Sequence, residues 1–180
     1  MSTVMDVIRN RRSIRKYEDR DVDADTLNAL LDSVRWAQSW ANTQCWEVVV
    51  VRDQGVKDRM AEAVLKGNPA QKSVSDAPVV LVLCAKLQSS GYYKEAVTTK
   101  FGDWFMFDIG IAAQNISLCA ESMGLGTVVM GLFEHDKIAD ILGVPGGYEV
   151  VTMMPVGYPA KRPSAPKRRE IEEFTHYDGF

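Results

Sequence analysis

Histidine and cysteine are scarce in this chain, with two of one and three of the other in 180 residues. His135 and His176 are too few and too far apart to build a histidine metal site or a Ser-His-Asp triad with any choice of partners, and both read as surface residues. Cys45, Cys84 and Cys119 form neither a C-x-x-C pair nor a disulfide framework, so they read as reduced thiols, two of them packed as small hydrophobes. The longest apolar stretch is about that of residues 78–85, far below the ~20 residues that span a bilayer, and Met1–Asp6 carries an acid where an export signal has none. The expectation is a cytoplasmic protein with no membrane partner. A Walker-A loop, H-E-x-x-H and G-x-S-x-G are absent. Gly124 and Gly126 follow a helical pattern and precede a strand, the reverse of the order in a dinucleotide fingerprint, and position 129 is Val.

What is present is a chain of single-domain length with average globular composition. Its net charge of −3 argues against a nucleic-acid partner, but the distribution is uneven. Eleven of the 21 basic residues lie in segments 9–20 and 161–169, which hold only Glu18 and Asp19 as acids. Two basic clusters at opposite ends of one domain can meet and hold a phosphate; the alternative is two solvated surface runs. Within the first cluster, an extended Arg11-Arg12-Ser13-Ile14-Arg15 projects Arg11, Ser13 and Arg15 to one side, two guanidinium forks flanking a hydroxyl.

The periodicity predicts a short helix around Val4 and Ile8 and an amphipathic helix over 26–37 with Asp23 or Asp25 as N-cap. Strands are expected at 46–52 and 78–85, with a helix capped by Asp53 between them and a loop over 66–76. A long, almost wholly apolar helix over 101–123 belongs in the centre or at an interface. A short strand at 126–130, a helix at 136–142 and a strand at 148–156 complete the body. Residues 1–159 are read as one domain and 160–180 as an extension.

Four blocks carry a resemblance. Arg11-Arg12-Ser13-Ile14-Arg15-Lys16-Tyr17 resembles the R-R-S-x-R-x-[FY] signature of the FMN-dependent nitroreductase family, the NAD(P)H:FMN oxidoreductase type. Residues 37–46 resemble its A-P-S-x-x-N-x-Q-P-W, keeping Ser39, Asn42, Gln44 and Trp46 but with Gln38 and Cys45 in place of two prolines. Residues 124–131 are similar to the G-L-G segment under the flavin, and Gly157-Tyr158-Pro159 with Lys167-Arg168-Arg169 to the terminal turn and basic phosphate clamp. The resemblance implies an α+β fold, a central mainly antiparallel sheet wrapped by helices in an intertwined homodimer whose C-terminal extension packs on the partner subunit.

It also implies FMN as cofactor and NADH or NADPH as electron donor, with nitroaromatic, quinone or related acceptors reduced in a ping-pong cycle. Arg11, Ser13, Lys167 and Arg169 would hold the phosphate with Arg12 alongside, and Arg15 would support the pyrimidine end electrostatically. Ser39 and Asn42 would reach the cofactor from the second subunit, Gln44 would be a further cofactor contact, and Val129, Met130 and Gly131 would supply backbone contacts. No side chain is expected to do covalent or acid–base work, since the cofactor carries that chemistry. Trp104, Tyr92 and Tyr93 are the substrate-contact candidates, against a competing reading as core or interface packing. Enone reduction, reductive dehalogenation and flavin storage without turnover are the alternative functions.

Overall fold

The computed structural model describes residues 3–180 and follows the alternation of apolar runs. Helix α1 (Val4–Asn10) opens with a capping box in which Thr3 and Asp6 satisfy each other's backbone amides, and α2 (Ala24–Arg35) starts at Asp23, whose carboxylate accepts from Thr26 N–H. Strand β1 (Trp46–Val51) pairs antiparallel with β2 (Val79–Lys86), and β2 pairs antiparallel with β6 (Tyr148–Gly157). The short β5 (Gly126–Thr127) lies antiparallel on the other edge of β6, giving the sheet order β1-β2-β6-β5. The fold is α+β, as expected from the resemblance.

Seven of the eight residues of β2 are buried, because the sheet is covered on both faces. Val79, Leu81, Leu83 and Ala85 point toward α2 and α5 (Phe105–Ser122), where Leu30, Val34, Ile109, Ala112 and Ile116 meet them. Val80, Val82 and Cys84 point the other way, into a second core with α3 (Gln54–Glu62), α4 (Gln71–Asp76) and α6 (His135–Leu142). This two-sided burial explains why β2 reads as a continuous apolar run instead of an alternation.

Three expected boundaries move. The second half of the expected loop at 66–76 forms α4, entered through Asn68, whose side chain accepts from Ala70 N–H at 2.9 Å. The long helix starts at Phe105, since Gly102 takes φ +76° and breaks the turn expected to begin at Phe101. The strand expected over 126–130 is two residues long, and Met130 rejoins the sheet through a separate bridge to Met153. A hairpin of β3 (Tyr92–Tyr93) and β4 (Ala96–Val97) also forms before α5. Residues 160–180 carry one short 3-10 turn, Ile171–Glu173, and are largely exposed. Among the described residues no helix is long and apolar enough to cross a membrane.

Candidate functional site

After α1 the chain extends and lies along the sheet edge. Ile14 N–H donates to Thr127 O at 2.9 Å in a parallel bridge, and Tyr17 bridges Pro159. Glu18 N–H then donates to Tyr158 O at 2.9 Å and Ala160 N–H to Lys16 O at 3.0 Å. The first basic cluster is thus laced to the chain that leaves β6 and enters the second. The seam is close: Ile14 is fully buried, and a Cβ on Gly126 would stand 2.3 Å from its Cγ1, so only glycine fits there. Tyr17 Oη shares its proton between Ile14 O and Pro155 O, at 2.9 and 3.0 Å, and burial pushes its phenol well above the usual range.

This lacing closes a cavity of about 260 Å³ lined by Arg11, Arg12, Ser13, Arg15, Ser164 and Arg168. A smaller one of about 150 Å³ continues past Ser13 and Arg15 to Lys16 and Lys161. Arg12 is oriented by its own backbone, donating to Arg9 O at 2.6 Å and Arg11 O at 2.8 Å. Among the described residues, none of these four arginines is paired with a carboxylate; the ion pairs involve Arg35, Arg52, Lys137 and Arg162 instead. Four guanidinium groups around one hydroxyl repel one another and attract an anion with several acceptor oxygens, so the donor set fits a phosphate monoester.

The structure places the three basic tail residues in different surroundings. Arg168 lines the cavity, whereas Lys167 does not, and Arg169 donates to Glu173 O and lies over the Phe174 ring. The K-R-R run showed the cluster but not which member faces in.

The remaining site residues occupy two further segments. In the turn at 129–131, Met130 is 2% exposed and pinned by its bridge to Met153, while Thr152 Oγ1 donates to Met130 O at 2.9 Å. Val129 and Gly131 remain exposed, so the turn offers backbone and not the Met130 side chain to a ligand. His135, stacked on Phe133, has its ring nitrogens 2.6 Å from Val150 O and 3.3 Å from Gly131 O, a support for this turn that its surface reading missed. In the loop at 39–44, Ala41, Asn42 and Gln44 adopt φ of +45°, +56° and +48°. Left-handed backbone is tolerated by Asn but strained for Ala and Gln. Ser39 Oγ accepts from Gln44 N–H at 2.9 Å, Gln44 Nε2 donates to Asn42 Oδ1 at 3.3 Å, and Thr43 Oγ1 is buried with no hydrogen-bond partner among the described residues. This loop shares no lining residue with the arginine cavity of its own chain.

Trp104 caps the start of α5 between Phe101 and Phe107, with ring centroids 5.8 and 5.4 Å away. Tyr92 and Tyr93 sit on the neighbouring hairpin, Tyr93 exposed.

The family model described as "Nitroreductase family" matches residues 8–158. The chain belongs to the nitroreductase family. The chain is 31% identical to "FMN reductase (NADPH)" of Bacillus subtilis strain 168, over 98% of this chain and 75% of that protein. Its structure superposes on "NADPH:FMN oxidoreductase from Vibrio harveyi complexed with NAD+" with TM-score 0.84, at 27% identity and covering 98% of this chain and 77% of the other. An "FMN-dependent nitroreductase" from Clostridium difficile R20291 gives TM-score 0.82 at 25% identity, covering 98% and 99%. The family match spans the whole sheet and takes in Arg11, Arg12, Ser13, Arg15 and the 129–131 turn, whereas Ser164 and Arg168 of the cavity lie beyond its end at residue 158.

Proposed function

We propose that the protein is an NAD(P)H-dependent FMN oxidoreductase that reduces nitroaromatic, quinone or related acceptors. The observation that carries the reading is the cavity in which Arg11, Arg12, Arg15 and Arg168 surround Ser13 without a carboxylate counter-ion among the described residues. Arg11, Arg12 and Arg168 hold the phosphate of the cofactor and Ser13 donates a further hydrogen bond, each charge-assisted. Lys167 and Arg169 lie on the same tail and add positive potential, with Arg168 making the direct contact. Arg15 would supply positive charge near the bound cofactor and so support its reduced form electrostatically. Bound FMN supplies hydride acceptance from the nicotinamide and hydride donation to the acceptor.

The protein's part is to bind, orient and exclude. Val129, Met130 and Gly131 present backbone groups to one edge of the cofactor. Ser39, Asn42 and Gln44 approach from a second subunit, which accounts for their separation from the arginine cavity in one chain. Trp104, with Phe101 and Phe107 around it, offers stacking surface to a planar acceptor, and Tyr92 and Tyr93 border the same region. Donor and acceptor occupy one pocket in turn, giving ping-pong kinetics. Residues 160–180 extend the domain of residues 1–159 and pack on the partner.

The test is the visible absorption spectrum of the purified protein, reconstituted with FMN, before and after anaerobic addition of NADH or NADPH. Oxidised-flavin bands that bleach and return with a quinone or nitroaromatic are expected. Bands that persist with both donors favour flavin storage without turnover, and a protein that takes up no FMN overturns the reading.

A further inference from the structure

Asp108 lies in the first turn of α5, in phase with its apolar positions, and is 1% exposed. It faces no lysine or arginine in an ion pair among the described residues. A buried carboxylate must be solvated by donors, and here they come from two segments remote in sequence. From the first, Trp40 N–H points between the two oxygens at 3.1 and 3.2 Å, and Cys45 Sγ lies 3.6 Å from Oδ2. From the second, the fully buried Ser90 donates its hydroxyl to Oδ2 at 2.6 Å.

Each donor belongs to a segment whose shape needs an external hold. Trp40 and Cys45 bracket the loop whose Ala41, Asn42 and Gln44 are left-handed, and strain of that kind persists only where the surroundings over-determine it. This sequence has Gln38 and Cys45 at the two places where the resemblance would put rigid prolines, so the loop depends on its contacts more than on its own stiffness. Ser90 opens the segment leading to the aromatic group: its carbonyl accepts from Trp104 N–H at 2.9 Å, and Gly91 packs so closely that a Cβ would stand 2.6 Å from Gly102 O.

We propose that Asp108 is a positioning residue that couples the cofactor-facing loop 39–44 to the acceptor-facing segment 90–104, so that one buried carboxylate sets both halves of the site. The proposal rests on the FMN reading for the roles of the two segments, and on this chain's own hydrogen bonds for the coupling. Through Trp40 and Cys45 the carboxylate fixes where Ser39, Asn42 and Gln44 meet the cofactor. Through Ser90 it fixes Trp104 and the stacking surface around it. A hydrogen bond to a charged group contributes enough that loss of this hub changes binding by about tenfold or more.

The experiment compares Asp108→Asn and Ser90→Ala with wild type in the FMN-loaded protein, and follows amide hydrogen exchange in the apoprotein. Asp108→Asn is expected to raise the FMN dissociation constant and the KM for a nitroaromatic acceptor each by about tenfold, with a smaller change in kcat. Exchange should quicken at residues 40–45 and 90–104 while the amides of β2 and β6 keep their protection. Ser90→Ala, the milder change, is expected to raise acceptor KM several-fold and quicken exchange at 90–104, leaving FMN affinity within twofold of wild type. The proposal is overturned if Asp108→Asn leaves both constants unchanged, or if exchange quickens uniformly through the sheet, the mark of a plain stability defect. It is equally overturned if Ser90→Ala moves neither KM nor exchange. A wild-type chain that takes up no FMN overturns the flavin reading alone, and the exchange pattern of the apoprotein then decides the coupling by the same criteria.

Discussion

At the scale of single residues, the cavity separates three adjacent basic side chains that a charge count treats as equal. Arg168→Ala removes a guanidinium from the proposed phosphate cradle and should weaken FMN binding about tenfold, the typical worth of a charge-assisted contact, whereas Arg169→Ala should cost less than about threefold. Fluorescence titration of the apoprotein with FMN measures both, and the reverse ranking would return the contact to Arg169. The thiols give a pH prediction. Burial and the neighbouring Asp108 carboxylate push Cys45 up from 9.0 to about 12, and burial pushes Cys84 up to about 11. Both folded values exceed the unfolded one, so the folded state retains protons that the unfolded state releases above its own pKa. Their stabilising effect is full below pH ~9 and lost as pH rises toward the folded values. The urea midpoint should therefore fall between pH 9 and 11, less steeply in Cys45→Ala, and neither thiol should react with alkylating reagents at pH 8. A flat midpoint over that range would contradict the burial of these thiols. That Arg11, Ser13 and Arg15 gather at one cavity was legible in the sequence, because an alternating pattern puts them on one side of the segment. Arg168 was not, because the side to which each tail residue points depends on how the tail crosses the sheet edge. Asp108 left a fainter signal, an acid in phase with apolar positions.

At the scale of elements, the strand pattern and the long helix follow from side-chain periodicity, and the departures have local causes. Helix α4 is six residues long, too short for a 3.6-residue pattern to show, and the hairpin of β3 and β4 turns through Lys94 and Glu95 at φ +47° and +67° with no glycine to announce it. The element that matters most for the site, the segment through Ile14, reads as extended from its alternating side chains, but its pairing partner at Thr127 lies more than a hundred residues away and leaves no local signal. Its seam against β5 is testable. Gly126→Ala inserts a methyl into the side chain of Ile14 and should cost ~1–3 kcal/mol, the range for overpacking a tight core. For a chain of this length that lowers Tm by about 2–4 °C per kcal/mol. Because the seam also carries Ser13, FMN binding should weaken in the same variant. Trimming the clashing branch in Gly126→Ala/Ile14→Ala should recover part of the Tm loss relative to the sum of the single changes. A Gly126→Ala protein with wild-type Tm would mean that the seam opens without cost.

At the scale of the molecule, the two-sided sheet buries its own cores but leaves one flank of α1 and α5 uncovered. Val4, Met5 and Ile8 on α1 are exposed, and Met106 and Phe107 on α5 are 62% and 59% exposed beside an apolar cavity of about 420 Å³ that also includes Ile111. The tail adds Ile171, Phe174 and Tyr177. Apolar surface of this extent is stable in water when another surface covers it, and the proposed cover is a second copy of the chain, which would also bring a loop 39–44 to the arginine cavity. Light scattering should give twice the 20.1 kDa chain mass. Phe107→Glu places an unpaired charge in that contact, so the mass should fall to that of one chain at micromolar concentration. If Ser39, Asn42 and Gln44 serve the partner's cavity as proposed, the monomer should also lose FMN affinity by more than tenfold while its circular dichroism stays that of a folded α+β domain. A folded monomer that binds FMN as tightly as wild type would show that one chain builds the whole site, and would remove the second subunit from the catalytic reading.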